Sequence, residues 1–300
     1  MTITKNKLYF HYYKDKVKTL LKNPAQLPFY IDRFRKYSNS VSYDVLIVSY
    51  PKSGRTWLQN ILVEIGRIKT ENVLEDDTPI SDALSLLPDS EYNFPSILAT
   101  HDKSSWEQVE PLHDEDEIKK EDFSSFKNNK VIFLYRDPRD VLVSQFYHLI
   151  FRNKIKGISK DDLIDNKIFG LKKIINFMNK WKKHSERNNQ GVLCMSYEEM
   201  KNNSTNAIMK MAHFIDLDVN ESEVEEALQN SNIKRMQKKQ SSKENKDPWT
   251  KTNDVKNKNS YQTRKGIVGE HAEFFDEKQL ARINQTMKEQ LDPSFDYKVD

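Results

Sequence analysis

Hydrophobic positions along the chain follow two rhythms: short continuous runs and longer stretches at helical spacing. Asp44-Val45-Leu46-Ile47-Val48-Ser49, Ser96-Ile97-Leu98-Ala99-Thr100-His101, Lys130-Val131-Ile132-Phe133-Leu134-Tyr135 and Gly191-Val192-Leu193-Cys194-Met195-Ser196 are runs of strand length. Strands that are apolar on both faces are the mark of a buried parallel sheet. Between them, Trp57, Ile61, Leu62 and Ile65 recur at helical spacing, as do Val141, Leu142, Gln145 and Phe146. A long helix is predicted over 169–185, further helices through about 230, and a last one from Asp276 to Leu291. Strands alternating with helices predict an α/β fold, a single domain with a central parallel β-sheet flanked by helices.

Other stretches depart from this alternation. Tyr13, Val17, Leu20 and Leu21 outline an amphipathic helix within 7–37, broken at Asn23-Pro24. Residues 1–40 are therefore expected to form a helical extension packed on a domain spanning 41–300. Pro79, Pro88, Pro95 and Pro111 divide 70–125 into predicted loops and short helices. The stretch 236–262, rich in Lys, Asn, Gln and Ser, is predicted to be mobile. There is no internal repeat and no interdomain linker.

Composition narrows the class. Apolar residues make up 37% and charged residues 31%, a lean core, but aromatics reach 11% and Pro plus Gly number only 17 in 300, too few for a low-complexity chain. Cys194 is the single cysteine, which excludes an internal disulfide framework and a cysteine metal cluster and fits a reducing compartment. The apolar runs fall far short of the ~20 residues of a membrane helix, and Met1 to Tyr13 lacks an apolar leader core. A cytoplasmic protein without integral membrane association is expected. The net charge of +3 conceals a division: Glu71 to Asp122 holds 16 acids and 3 lysines, so this segment carries −13 and the remainder +16. A basic body suits an anionic ligand, and an acidic insert suits a cationic one. Nucleic acid is not expected as a partner, because the basic stretch Lys234 to Lys258 has only Trp249 as an interleaved aromatic.

Three motifs converge on an anion. Pro51-Lys52-Ser53-Gly54-Arg55-Thr56-Trp57 joins a strand to a helix N-terminus, where backbone N–H groups and the helix dipole favour negative charge. Gly54 permits close approach, Lys52 adds a point charge, and Ser53 and Thr56 add hydroxyls. The spacing is not that of a Walker A loop. Arg136-Asp137-Pro138-Arg139-Asp140 follows another strand, with Ser144 on the next helix; an Arg and a hydroxyl there can clamp a phosphate, although Arg139-Asp140 could equally be a structural ion pair. Thr263-Arg264-Lys265-Gly266 places two cations before a glycine near a predicted helix start.

Taken in order, these residues resemble the cytosolic-type sulfotransferases, which use 3′-phosphoadenosine 5′-phosphosulfate (PAPS). Tyr50 to Trp57 looks like the family's 5′-phosphosulfate loop. Arg136 with Ser144 matches its 3′-phosphate motif, and Arg264-Lys265-Gly266 with Gly269 its C-terminal signature. Thr100-His101 falls at its catalytic Lys-Thr-His, and Tyr197-Glu198 at a Tyr-Glu motif whose tyrosine contacts adenine. The resemblance implies a P-loop-like sulfotransferase fold. It also implies that Lys52, Ser53, Gly54, Arg55 and Thr56 hold the 5′-phosphosulfate, that Trp57 and Tyr197 lie at the adenine, and that Arg136, Ser144, Arg264, Lys265 and Gly266 hold the 3′-phosphate. The implied catalytic set is Lys52 at the bridging oxygen, His101 as base, and Ser144. PAPS would be the co-substrate and 3′-phosphoadenosine 5′-phosphate (PAP) the product, with no metal required and a small molecule as acceptor. Four departures stand out. Arg55 replaces the commoner Thr, Ala99 replaces the Lys of Lys-Thr-His, Glu270-His271 replaces the usual Asp-Trp, and Ser231-Asn232-Ile233 stands where many members have a Ser-Phe pair. No copy of the family's Lys-Thr-Val dimer motif is present, so that dimer is not predicted. Two other classes share a strand–loop–helix anion site: a small-molecule kinase and a non-catalytic adenosine bisphosphate-binding module.

Overall fold

A computed structural model describes residues 43–70, 92–101, 128–245 and 250–299, together with 78, 80, 83–84, 87, 123, 126 and 247. The predicted N-terminal extension and most of the acidic segment lie outside the described residues.

Four strands form one sheet: β1 (Val45–Ser49), β2 (Ile97–Thr100), β3 (Lys130–Tyr135) and β4 (Val192–Ser196). All pairs are parallel and the spatial order is β2-β1-β3-β4. Every residue of β1 is buried. Its side chains alternate between layers: Val45 and Ile47 join one apolar cluster with Leu58, Ile61 and Leu62, while Leu46 and Val48 join another with Ile174, Phe177 and Trp181. Burial on both faces is why β1 reads as an unbroken apolar run rather than an alternating one.

Helix α1 (Arg55–Lys69) follows β1, and α2 (Pro138–Tyr147) follows β3. α2 opens in the manner its sequence requires: Pro138 fills the first turn, where no N–H partner is needed, and the Asp137 carboxylate accepts the Arg139 N–H at 2.9 Å. The ion pairs here are crossed relative to the Arg139-Asp140 pairing read as an alternative. Arg139 pairs with Asp137 at 2.7 Å, and Arg136 reaches Asp140 at 3.5 Å. Past Tyr147 the helix widens into a π turn, His148–Arg152. The short α3 (Lys160–Ile164) comes next. The predicted long helix is α4 (Leu171–Arg187), which starts two residues later than expected because Asn166 accepts the Ile168 and Phe169 N–H groups and holds them outside it. Then come α5 (Tyr197–Asn202), α6 (Ser204–Phe214), α7 (Glu221–Asn230), α8 (Ile233–Ser241), α9 (His271–Phe274) and α10 (Glu277–Gln290).

The described residues of the polar stretch 236–262 are hydrogen-bonded to one another and to the body of the fold. The stretch is helical through Ser241, with Asn232 capping α8 through the Arg235 N–H, and then folds as a hydrogen-bonded loop. Thr252 Oγ1 and Ser260 Oγ lie 2.6 Å apart, Ser260 Oγ also donates to the Asp254 carbonyl, and the buried Gln240 accepts the Thr263 N–H at 3.2 Å. Side-chain amides and hydroxyls here take over the ordering that apolar contacts supply elsewhere. Among the described residues no helix is long and apolar enough to cross a membrane.

Candidate active site

The strand order reverses between β1 and β3, and in an open parallel sheet the crevice beyond the carboxyl ends of two such strands is where ligands bind. The loop after β1 and the loop after β3 both open there, and they touch: Arg136 Nη1 donates to the Lys52 carbonyl at 3.4 Å. Lys52 adopts a left-handed conformation, φ +77°, which costs a non-glycine residue about 1–3 kcal/mol and persists only where surrounding contacts hold it. Gly54 follows at φ +98° and forms the N-cap of α1 without a side-chain cap. The first turn of α1 is thus left without a side-chain cap, and its Trp57 N–H bonds the Gly54 carbonyl at 2.9 Å.

Tyr197, at the start of α5, is the wedge that shapes this cradle. A Cβ on Gly54 would fall 2.4 Å from its ring, and one on Gly266 would fall 3.5 Å from its hydroxyl. The Arg136 guanidinium lies 4.3 Å from the Tyr197 ring centroid, and Trp57 meets that ring edge-on at 5.8 Å. Tyr197 thus joins Gly54, Arg136 and Gly266, three stretches of chain far apart in sequence.

Lys52, Ser144, Tyr147, His148, Gln262 and Arg264 line one small cavity at this point. The Lys52 ammonium donates to Gln262 Oε1 at 3.4 Å and approaches His148 Nδ1 at 3.5 Å. Burial, then the neighbouring Arg152, Arg136 and Arg264, lowers its pKa to about 7. Burial and the same cationic surroundings push His148 well below the usual imidazole value, so this ring is neutral and accepts from Lys52. Arg152 is anchored by the Ser260 carbonyl at 3.0 Å. Arg264 lies flat against Tyr147, its guanidinium carbon 3.9 Å from the ring centroid. Two nitrogens in this group, Arg136 Nε and Arg264 Nη1, are buried without a hydrogen-bond partner. Buried donors without acceptors, beside a lysine whose pKa burial and then neighbouring cations lower to about 7, mark a place built for a polyanion.

His101 stands at the end of β2, beside β1. Its Nδ1 lies 2.7 Å from the Ser49 carbonyl oxygen. A carbonyl can only accept, so Nδ1 carries the proton and Nε2 is the basic nitrogen. Strand pairing supplies this placement, since Val48 is in register with Thr100.

The structure therefore brings together Lys52, Arg136, Ser144, Tyr197, Arg264 and Gly266, with Ser53 buried in the same loop and Trp57 against Tyr197. Arg55 and Thr56 occupy the first turn of α1. Lys265 points to Glu270, with Nζ 2.9 Å from Oε1. The sequence reading missed His148, Arg152, Tyr147 and Gln262. His148 lies four residues after Ser144, a one-face spacing on a helix that could have signalled it. The altered Glu270-His271 pair also acquires roles. Glu270 pairs with both Arg264 and Lys265, and His271 Nδ1 lies 2.8 Å from the Asp140 carboxylate, which also accepts the Gly269 N–H at 2.7 Å. Among the described residues no group of three His, Cys, Asp or Glu side chains converges to hold a metal.

A parallel sheet whose switch point carries a lysine–glycine loop, two arginines and a strand-end histidine defines a group-transfer enzyme handling an anionic nucleotide. The chain belongs to the sulfotransferase domain family, whose model matches residues 42–295, and its class is that of the cytosolic-type, PAPS-dependent sulfotransferases. It is similar to the amine sulfotransferase of Oryctolagus cuniculus, with 27% identity over 83% of this chain and 80% of that protein. It is likewise similar to cytosolic sulfotransferase 3 of Arabidopsis thaliana, with 27% identity over 83% of this chain and 76% of that one. In fold it matches the crystal structure of mouse sulfotransferase SULT7A1 complexed with PAP. The TM-score is 0.56 at 23% identity, covering 83% of this chain and 84% of the other.

Proposed function

We propose that this enzyme moves the sulfuryl group of PAPS to a hydroxyl or amine of a small-molecule acceptor, with Lys52, His101 and Ser144 as its catalytic set. The observation that carries the reading is the convergence of Lys52, Arg136 and Arg264, from three distant stretches, on one cradle beside the strand-end His101. Ser53, Gly54, Arg55 and Thr56 receive the 5′ end of the donor at the open turn of α1. Trp57 and Tyr197 flank the adenine, and Arg136, Ser144, Arg264, Lys265 and Gly266 take the 3′-phosphate. The buried, partnerless Arg136 Nε and Arg264 Nη1 fit that anion.

In the transfer, the sulfur–oxygen bond to the departing phosphate breaks as a bond from sulfur to the acceptor forms. PAP leaves with the bridging electron pair. Lys52, charged once the donor is bound, stabilises that oxygen, and Nε2 of His101 takes the acceptor's proton. Because the reacting group carries its own charge, positioning and electrostatics supply most of the rate. His101→Ala is expected to lower kcat by ~10²–10⁴-fold with PAP affinity unchanged. Steady-state kinetics with titration calorimetry tests this, and a variant keeping more than about a tenth of kcat would remove His101 from the mechanism. A kinase reading requires turnover to stop when a chelator is added, whereas sulfuryl transfer by this set continues. A binding module would take up PAP and turn over no acceptor.

The acceptor is read as cationic or polar, an amine or guanidinium natural product. The −13 segment supports this, since an acidic insert suits a cationic ligand. So does the similarity to a protein named an amine sulfotransferase. A cytoplasmic setting is supported by the single cysteine and by relatives named cytosolic.

A further inference from the structure

Every cation assigned to the donor's 3′-phosphate already faces an oxygen of the protein, but the two carboxylates involved are held differently. Asp140 is locked: it accepts the Gly269 N–H, the His271 N–H and His271 Nδ1, and it pairs with Arg136. Glu270 is held by cations alone, Arg264 Nη2 on one oxygen and Lys265 Nζ at 2.9 Å on the other. Its side chain is 8% exposed, and the two cations keep its carboxyl below the usual range, so it is ionised at neutral pH. Arg264 is held at the cavity by stacking of its guanidinium on Tyr147, and its Nη1 is buried there without a hydrogen-bond partner. Lys265, half exposed, pairs among the described residues with Glu270.

We infer that Glu270 is an internal counter-ion for the 3′-phosphate cations and sets donor specificity by competing with that phosphate for Arg264 and Lys265. The inference rests on the sulfotransferase reading of the cradle. Entry of the 3′-phosphate exchanges one anion for another, so the affinity gained from that phosphate is the difference between two charge-assisted interactions. The same exchange in reverse eases departure of PAP. A nucleotide without a 3′-phosphate leaves the Glu270 pairs intact and is indifferent to them.

The test compares PAP with AMP, which lacks the 3′-phosphate, on the full-length enzyme and on Glu270→Gln, an isosteric neutral variant. Calorimetry is expected to show PAP binding tightened by about tenfold, the equivalent of one charge-assisted hydrogen bond, with AMP affinity unchanged. Stopped-flow release of PAP is expected to slow in proportion. Glu270→Asp, which keeps the charge but cannot span both cations, is expected to fall between and supplies the same comparison should the Gln variant fold poorly. Unchanged or weakened PAP binding, or equal changes for PAP and AMP, would overturn the role of Glu270. Absence of PAP binding to the wild-type enzyme would instead overturn the donor assignment beneath it.

Discussion

Lys52 shows how a single residue can be both strained and titrated by its surroundings. Its left-handed backbone and its ammonium among Arg152, Arg136 and Arg264 are two aspects of one loop. With its pKa at about 7 in the ligand-free chain, it is only partly charged at neutral pH. A polyanion favours the charged form and raises that value, so binding must take up a proton at any pH between about 7 and the ordinary lysine value near ~10. Calorimetry of PAP at pH 8 in buffers of different ionisation enthalpy should therefore report proton uptake, absent in Lys52→Met. Affinity should climb as pH falls from about 9 to 7 and then level. Stability of the ligand-free fold responds to pH in the opposite direction. The unfolded chain binds the extra proton in that window, so the ligand-free fold loses stability as pH falls from about 10 to 7. Lys52, Arg136 and Arg264 could be read in the sequence because each stands beside a glycine or a strand end. His148 left only its helical spacing from Ser144 as a signal, since its partner Lys52 is 96 residues away, and the role of Glu270 depends on where folding sets the Arg264 side chain, which no local pattern encodes.

Among the elements, the strands were the most legible part of the chain, since burial on both faces leaves an unbroken apolar signature. The predicted Lys130–Tyr135 strand coincides with β3, and Asp44–Ser49 differs from β1 by a single residue. The loop 242–262 was the least legible, because its order comes from amides and hydroxyls that read as solvated surface. The turn entering α1 carries the sharpest steric demand. Gly54→Ala would place a methyl 2.4 Å from the Tyr197 ring at φ +98°. The expected cost is about 1–3 kcal/mol in chemical denaturation. PAP binding should be lost as well, because Tyr197 must move and Arg136, stacked on it, moves too.

For the molecule as a whole, charge division is the property that composition conveyed and topology then used. The cations concentrate where β1 and β3 part. The proposal gives the acidic segment a part in acceptor recognition rather than in donor binding. Neutralising Asp76 and Asp77 together, or Asp114 and Asp116, is expected to raise KM severalfold for a cationic acceptor and to leave it unchanged for a neutral phenol. Steady-state kinetics across such a panel checks the assignment, and a flat response would leave the acidic segment without a part in recognition.

The wide turn at His148–Arg152 gives this enzyme one residue of slack in α2. Were that turn to tighten to ordinary helix with every residue kept, the residues after it would rotate by about 100° around the axis. Arg152 would then leave the Ser260 carbonyl, and the polar loop would lose its tether to the donor cradle. The length of this one turn is thus a marker by which relatives can be sorted: those that conserve it can moor the loop as this chain does, and those that lack it need a different anchor.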